Sequence, residues 1–191
     1  MIPKPESLPK INRFKRGKGL VIVNTGNGKG KTTAALGIAL RAAGYGLKVL
    51  IFQFVKGSWL YGELESLKKL SPQIEIIRAG EGFVGIVDDK LPRAVHEKAA
   101  QTALENVSQR VTSGVYDVVI LDEILGAIAG NLLKTEEVVM MIKGKPDYLD
   151  LVLTGRNAPQ EIIDLADTVT EMVEIKHPFQ KGIYAKRGID Y

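Results

Sequence analysis

The sequence contains no cysteine among its 191 residues. This absence excludes disulfide bonds, thiolate metal ligands and a cysteine nucleophile, although it does not identify a cellular compartment. No apolar run approaches the roughly 18 residues that a membrane-spanning helix needs. Residues 1–19 also lack the apolar middle of a signal peptide. We therefore expect a soluble, cytoplasmic protein without a membrane partner.

The basic excess of the chain is confined to its beginning. Residues 1–19 hold six basic residues and one acid, whereas the rest of the chain holds 20 basic and 21 acidic residues. The length fits one domain, which we place at 19–191 behind a basic arm at 1–18. The arm is either a solvated tail or a segment that closes over an anionic ligand. No helix carries a basic stripe, so nucleic acid is not an expected partner.

Short apolar runs alternate with helical patterns along the chain. Strands are predicted at 20–23, 48–55, 74–77, 115–121, 151–153 and 168–175, and helices at 32–43, 61–70, 92–111, 136–142 and 159–166. Residues 176–191 are predicted to be irregular. Repeated strand–helix units predict an α/β fold of three layers, with a mainly parallel central sheet of about six strands.

Polar clusters follow three of these strands. They are the glycine-rich segment after the first strand, Asp122-Glu123 after the fourth and Gly155-Arg156 after the fifth. Ligands of parallel sheets bind at the carboxyl ends of the strands. The three clusters are therefore expected to meet at one edge of the sheet.

The glycine-rich segment has the composition of a phosphate-binding loop. Residues 26–33 read GNGKGKTT and lie between a strand and a helix. Glycines let backbone N–H groups wrap an anion, and the helix N-terminus adds a favourable dipole. Lys31 would neutralise phosphate charge, and the Thr32 hydroxyl would sit where such loops bind Mg²⁺. This segment predicts a protein that uses ATP.

The loop departs from the usual pattern G-x-x-x-x-G-K-[ST]. Counting back from Gly30, the first glycine should be residue 25, which is Thr25. The leading glycine is Gly26, so the loop is one residue short, and it holds an additional lysine, Lys29. A shorter and more basic loop should hold phosphates differently, which argues against simple attack at the terminal phosphorus.

The remaining candidate residues leave alternatives open. Asp122-Glu123 follows an apolar strand, as a second Mg²⁺-binding motif does, but it could instead cap the next helix. Arg156 could contact an anion at the same edge or be a surface arginine. His96 and His177 are the only histidines, and their spacing predicts no metal site. The chemistry is therefore expected to come from the nucleotide and what it meets.

The ordered set of motifs resembles the ATP:corrinoid adenosyltransferases of the phosphate-loop type. The resemblance covers residues from about 17 to 191. Its motifs are GNGKGKTT at 26–33, AALG at 34–37, LRAAG at 40–44, QFVKG at 53–57, GE at 62–63, GEGF at 80–83, LDE at 121–123, VLTGR at 152–156, ADTVTEM at 166–172, KHPF at 176–179, Gly182 and GIDY at 188–191.

The resemblance implies a P-loop NTPase fold of the RecA-like kind and a homodimer. It implies transfer of the 5′-deoxyadenosyl group of ATP to the Co(I) centre of a corrinoid, with release of triphosphate and with a reductase supplying electrons to cobalt. The nucleotide would lie reversed relative to ordinary phosphate-loop enzymes. Lys31 and Glu123 would be catalytic, and Thr32 and Glu123 would hold Mg²⁺. The implied binding residues are Gly26, Asn27, Gly28, Lys29, Gly30, Lys31, Thr32, Thr33, Arg41, Phe83 and Arg156.

The segment associated with the corrinoid differs from the family pattern. Phe83 matches, but the tryptophan expected two residues later is Gly85, and the next residues read IVDD at 86–89. The family's aromatics are associated with easier reduction of cobalt. Two other functions remain open, the first because of the phosphate loop and Asp122-Glu123 and the second because of this altered segment. One is an ATPase or kinase-like protein that forms ADP, and the other is a non-catalytic module that binds a corrinoid or nucleotide.

Overall fold

Short runs of apolar, often β-branched residues form the strands. The computed structural model describes residues 17–54, 61–79 and 91–190. In these ranges the strands are β1 (Val21–Thr25), β2 (Val49–Gln53), β3 (Ile74–Arg78), β4 (Val118–Asp122), β5 (Asp150–Thr154) and β6 (Thr168–Glu171). β2 and β4 are buried along their whole length, as is typical of parallel strands that are covered on both faces.

The helices lie between these strands. They are α1 (Lys31–Gly44), α2 (Gly62–Lys68), α3 (Arg93–Thr112), α4 (Ile124–Ala129), α5 (Thr135–Lys143) and α6 (Gln160–Ile163), with a 3-10 helix at Pro178–Lys181. The predicted helices are confirmed, with ends that differ by a few residues. α4 was not predicted, because most of its six residues are buried and its sequence shows no polar face. The tail predicted to be irregular holds the 3-10 helix.

The sheet has the order β3-β2-β4-β5-β1-β6. All of its strand pairs are parallel, which confirms the predicted α/β architecture. The sixth strand, predicted to extend to residue 175, ends at Glu171. The division into an arm and a domain stays a prediction, since residues 1–16 lie outside the described ranges.

Alternating side chains of the strands pack against two helical layers. In β4, Val118 and Ile120 pack in the cluster that contains Ala35 and Ala39 of α1. The intervening residues of β4 pack on the other face, in a cluster to which α3, α4 and α5 contribute. Because side chains of a strand alternate between the faces of a sheet, one apolar run supplies both layers. The result is the predicted three-layer structure.

The order of the central strands determines which loops are neighbours. β5 lies between β1 and β4. The carboxyl end of β5 therefore stands between the glycine loop that follows β1 and the acidic pair that ends β4. The fold places all three predicted polar clusters at one edge of the sheet.

Candidate active site

The glycine loop joins β1 to α1 through a backbone that glycine makes possible. Gly26 and Gly30 have φ values of 96° and 118°, in the left-handed region that other residues rarely adopt. Gly30 is the N-cap of α1, and Lys31 is its first residue. The free N–H groups of the first turn of α1 consequently border the loop, as a phosphate site requires.

The loop is seated on the chain that follows β6. The Gly28 N–H donates to the Met172 carbonyl oxygen at 2.6 Å, and the Met172 N–H donates to the carbonyl oxygen of Thr25 at 2.8 Å. A Cβ atom on Gly28 would lie 2.7 Å from the Met172 carbonyl oxygen and 2.8 Å from that of Val173. Only glycine therefore fits at residue 28 without displacement of backbone.

Substituting Gly28 with alanine is expected to lower the free energy of unfolding by about 1–3 kcal/mol, because the added methyl group overpacks the backbone of the segment after β6. Chemical denaturation measures this change. Gly37 in α1 supplies the control, since a Cβ at residue 37 meets no atom within 4 Å and alanine is the better helix former. Equal stability of the Gly28→Ala and Gly37→Ala variants would contradict the close contact of Gly28 with the backbone of Met172 and Val173.

Lys31 folds back onto the loop in this structure. Its Nζ donates to the carbonyl oxygens of Gly26 at 2.7 Å and Gly28 at 2.8 Å, and the residue is buried. Burial lowers the pKa of Lys31, the Glu123 carboxylate opposes this shift, and the Arg156 guanidinium adds to it. Lys31, Glu123 and Arg156 are thus close enough for their charges to interact.

Asp122 is the centre of a hydrogen-bond network at the end of β4. Its Oδ1 accepts from the hydroxyls of Thr32 and Thr154, both at 2.8 Å. Its Oδ2 accepts from Gln53 Nε2 at 3.2 Å. The next residue, Glu123, has φ of 62°, and its N–H donates to Thr154 Oγ1 at 2.9 Å. One carboxylate therefore joins the start of α1 to the ends of β2, β4 and β5.

Individual roles for Asp122, Gln53 and Thr154 were not predicted from the sequence, in which Asp122 stood only as part of the acidic pair. All three are buried, and each stands at the last residue of its strand. A polar residue at that point in an otherwise apolar strand is the signal that could have identified them. The predicted metal ligand Thr32 donates to Asp122, whereas the predicted ligand Glu123 faces the charge of Lys31.

Other predicted residues lie farther out. Asn27, Thr33 and Arg156 are exposed, at or beside the loop edge of the sheet. Arg41 is exposed in the last turn of α1, ten residues beyond Lys31, which corresponds to about 15 Å along a helix. The fold therefore does not bring Arg41 to the loop of its own chain. Phe83 lies outside the described residues.

The described part of the chain holds no cluster of three or more histidine, cysteine or acidic side chains arranged to bind a metal ion. The glycine loop, the buried Lys31, the Thr32 hydroxyl in the first turn of α1 and the Asp122 carboxylate at the end of β4 together define a P-loop nucleotide-binding protein. FlaH, a flagellar accessory protein from Methanocaldococcus jannaschii, has a similar fold. Its TM-score is 0.50 at 16% identity, with 81% of this chain and 71% of FlaH covered.

The sequence comparisons identify the family within this class. The profile described as ATP:corrinoid adenosyltransferase BtuR/CobO/CobP matches residues 17–191. Corrinoid adenosyltransferase CobA of Salmonella typhimurium is 35% identical over 182 residues, which cover 95% of this chain and 90% of that protein. A corrinoid adenosyltransferase of Sinorhizobium sp is 40% identical over 176 residues, with 91% and 81% covered. The chain belongs to the ATP:corrinoid adenosyltransferase family, and it is an enzyme of that class.

Among the helices in the described ranges, none is both long and apolar enough to cross a membrane.

Proposed function

We propose that the protein transfers the 5′-deoxyadenosyl group of ATP to the Co(I) centre of a corrinoid, with the glycine loop holding the triphosphate leaving group. The observation that carries this proposal is the shortened loop, in which the buried Lys31 donates to the carbonyl oxygens of Gly26 and Gly28. An incoming phosphate offers Lys31 an ionised acceptor, and hydrogen bonds between charged groups are stronger than those to neutral carbonyls. Lys31 can therefore exchange its loop contacts for the triphosphate.

The oxygen atoms around Asp122 suit Mg²⁺. Magnesium prefers oxygen ligands and usually keeps water and substrate phosphate among them, so one or two protein carboxylates are enough. The hydroxyl of Thr32 and the carboxylates of Asp122 and Glu123 would hold the ion beside the loop. Bound there, it would supply positive charge to the triphosphate.

The reaction places few chemical demands on side chains. The cobalt electron pair of Co(I) attacks C5′ of ATP, the C5′–O bond breaks, and its electron pair leaves with the triphosphate, so cobalt is formally oxidised to Co(III). The nucleophile carries no proton, so no general base is needed. The protein must align C5′ with cobalt and stabilise the charge that develops on the leaving group. Lys31, Lys29 and the loop amides are proposed for the second task.

The glycine loop is bordered by the other proposed binding residues. Asn27 and Thr33 lie in or directly after the loop, and the Arg156 charge acts on Lys31. Arg41 stays a proposal that rests on the family motif alone, because its own chain holds it away from the loop. Phe83 is proposed to contact the corrinoid by the same motif argument.

The proposed assembly includes a second copy of the chain and a reductase. Support for a homodimer comes from the edge strand β6 and the chain that follows it, where Val169, Val173, Ile175 and Phe179 are exposed. Apolar groups clustered in this way often mark an interface. A reductase is proposed because the attack requires Co(I), which has to be formed by electron transfer to the cobalt of the corrinoid.

The N-terminal arm is proposed as a separate segment from the domain at 19–191. β1 begins at Val21 and the loop follows Thr25. Residue 20 therefore lies at the amino ends of the strands, and the loop lies at their carboxyl ends. The length of β1, about 17 Å, separates the two edges.

A product assay tests the proposed reaction. The protein is incubated anaerobically with ATP, Mg²⁺ and a chemically reduced corrinoid, and the phosphate product and cobalt ligand are identified. We expect triphosphate and a light-sensitive cobalt–carbon bond in equal amounts, with neither formed when the corrinoid is omitted. Formation of ADP without dependence on corrinoid would replace this proposal with an ATPase.

A further inference from the structure

Lys29, the additional lysine of the loop, is paired with an aspartate near the last described residues of the chain. Lys29 Nζ forms an ion pair with Asp190 Oδ1. The Lys29 side chain is 51% exposed, whereas that of Asp190 is only 12% exposed. The lysine is thus on the outer side of the loop, and the carboxylate is packed against it.

A closed turn of the backbone presents this carboxylate. The N–H of Asp190 donates to the Lys186 carbonyl oxygen at 2.8 Å, and the N–H of Lys186 donates to Asp190 Oδ2 at 2.7 Å. The pairing with Lys29 and the Lys186 N–H holds the pKa of Asp190 below its usual range. The carboxylate is therefore ionised at neutral pH, and one of its oxygens is committed to the turn.

The same turn forms a wall of a groove at the start of α1. The groove has a volume of about 560 Å³, and Gly188, Ile189 and Asp190 line it together with Thr32 and Thr33. Its other wall comes from residues 61–66 at the start of α2. An aspartate therefore stands beside a loop whose proposed ligand is a polyanion. The Asp190 carboxylate repels that polyanion. It also pairs with Lys29, one of the two lysines of the loop.

We propose that Asp190 is a positioning residue that acts through Lys29 and weakens the hold of the loop on triphosphate. With no phosphate bound, Asp190 keeps Lys29 on the outer side of the loop. A bound triphosphate must compete with Asp190 for this lysine, so the product leaves more readily than it would from a loop with two free lysines. This inference rests on the proposed function, because it assumes that the loop binds the leaving group.

A structural role of the ion pair predicts the opposite effect. If Asp190 only anchored the C-terminal turn, its loss would loosen the wall of the groove and weaken phosphate binding. Under our proposal its neutralisation strengthens binding. The sign of the change therefore separates the two roles.

Titration calorimetry with inorganic triphosphate and Mg²⁺ tests the proposal on the full chain. The Asp190→Asn variant keeps an oxygen acceptor for the Lys186 N–H and removes the charge. We expect its Kd for triphosphate to be about two- to fivefold lower than that of the wild type, the range of an exposed ion pair. Added salt should reduce the difference.

Two further variants make the result specific. Asp147→Asn is the matched control, because Asp147 is exposed and precedes β5 at the opposite edge of the sheet; its Kd should equal that of the wild type. In a Lys29→Met background, Asp190→Asn should no longer strengthen binding. An unchanged or raised Kd in Asp190→Asn, or equal strengthening with and without Lys29, would overturn the proposal.

Failure of the proposed phosphate site gives a different result. Triphosphate binding that persists unchanged in a Lys31→Met variant would show that the loop is not the site. Binding that depends on Lys31 but not on Asp190 would overturn only the inference about Asp190. Thermal unfolding of each variant, compared with the wild type, shows whether the turn and the loop remain folded.

Discussion

Substitution of Lys31 with methionine is expected to lower kcat/KM for adenosyl transfer by about 10²–10³-fold, the effect of removing one preorganised charged donor from a site where charge develops. Lys31 is the buried cation of the loop, and its Nζ already lies among the carbonyl oxygens that the triphosphate would adjoin. Because the charge on the leaving group grows as the C5′–O bond breaks, the loss should fall on kcat as well as on KM. Steady-state formation of the cobalt–carbon product measures it.

Methionine is chosen because it retains most of the length of lysine. The loss of the two hydrogen bonds to Gly26 and Gly28 could by itself disturb the loop, so the free energy of unfolding is measured in parallel. Lys143→Met, at an exposed position in the last turn of α5, is the matched control and should keep wild-type activity. A Lys31→Met enzyme that is folded and retains more than about a tenth of the wild-type kcat/KM would contradict the assigned role.

The predicted fold follows from the alternation of apolar strands with helical segments. A run such as residues 118–121 supplies both faces of the sheet through its alternating side chains, and this is readable from the sequence. The order of the strands is not, because β1 pairs with β5 and β6, which are distant along the chain. α4 was missed for a related reason. Its burial comes from packing against the sheet and leaves no polar face in the sequence.

In the candidate site, too, features within one segment could be predicted from the sequence, whereas contacts between distant segments could not. Gly30, Lys31 and Thr32 are identified by local spacing alone, because loop and helix lie in one continuous segment. The seat of the loop consists of backbone oxygens of Met172 and Val173, and a backbone contact has no sequence signature. The pairing of Lys29 with Asp190 joins the loop after β1 to the last described turn of the chain. Such long-range pairs depend on the completed fold.

The acidic motif illustrates how far spacing can assign roles. Asp122 ends β4 and Glu123 follows it; the sequence identifies the pair as an Mg²⁺ motif, and the family resemblance implies Glu123 as the ligand. The structure separates their surroundings, since Asp122 accepts hydrogen bonds from Thr32, Thr154 and Gln53, whereas the Glu123 charge acts on Lys31. Which of them governs the magnesium dependence is therefore a question for substitution.

Asp122→Asn is expected to lower kcat/KM by at least about 10- to 100-fold, because Asp122 is proposed to hold Mg²⁺ and also contacts Thr32, and loss of an orienting contact alone typically has an effect of this size. The asparagine oxygen can take the place of Oδ1 and accept from both threonine hydroxyls, whereas its amide NH₂ cannot accept from Gln53 as Oδ2 does. The site would lose a negative charge and one of the two carboxylate oxygens available to Mg²⁺. The concentration of Mg²⁺ needed for half-maximal activity should rise together with the loss of kcat/KM.

A second buried aspartate at the other end of β4 makes this prediction specific. Asp117 is buried and accepts from the Lys48 N–H at 2.8 Å, so Asp117→Asn should reduce stability without changing the Mg²⁺ requirement. Glu123→Gln removes the adjacent charge and should affect the Mg²⁺ requirement less than Asp122→Asn, because the direct contact of Asp122 with Thr32 remains.

If Glu123→Gln alone raised the Mg²⁺ requirement, Glu123 would hold the ion, and the network around Asp122 would serve only to join β4 to α1. If Asp117→Asn and Asp122→Asn raised it equally, the effect would reflect damage to β4, and neither acid would be assigned to the metal.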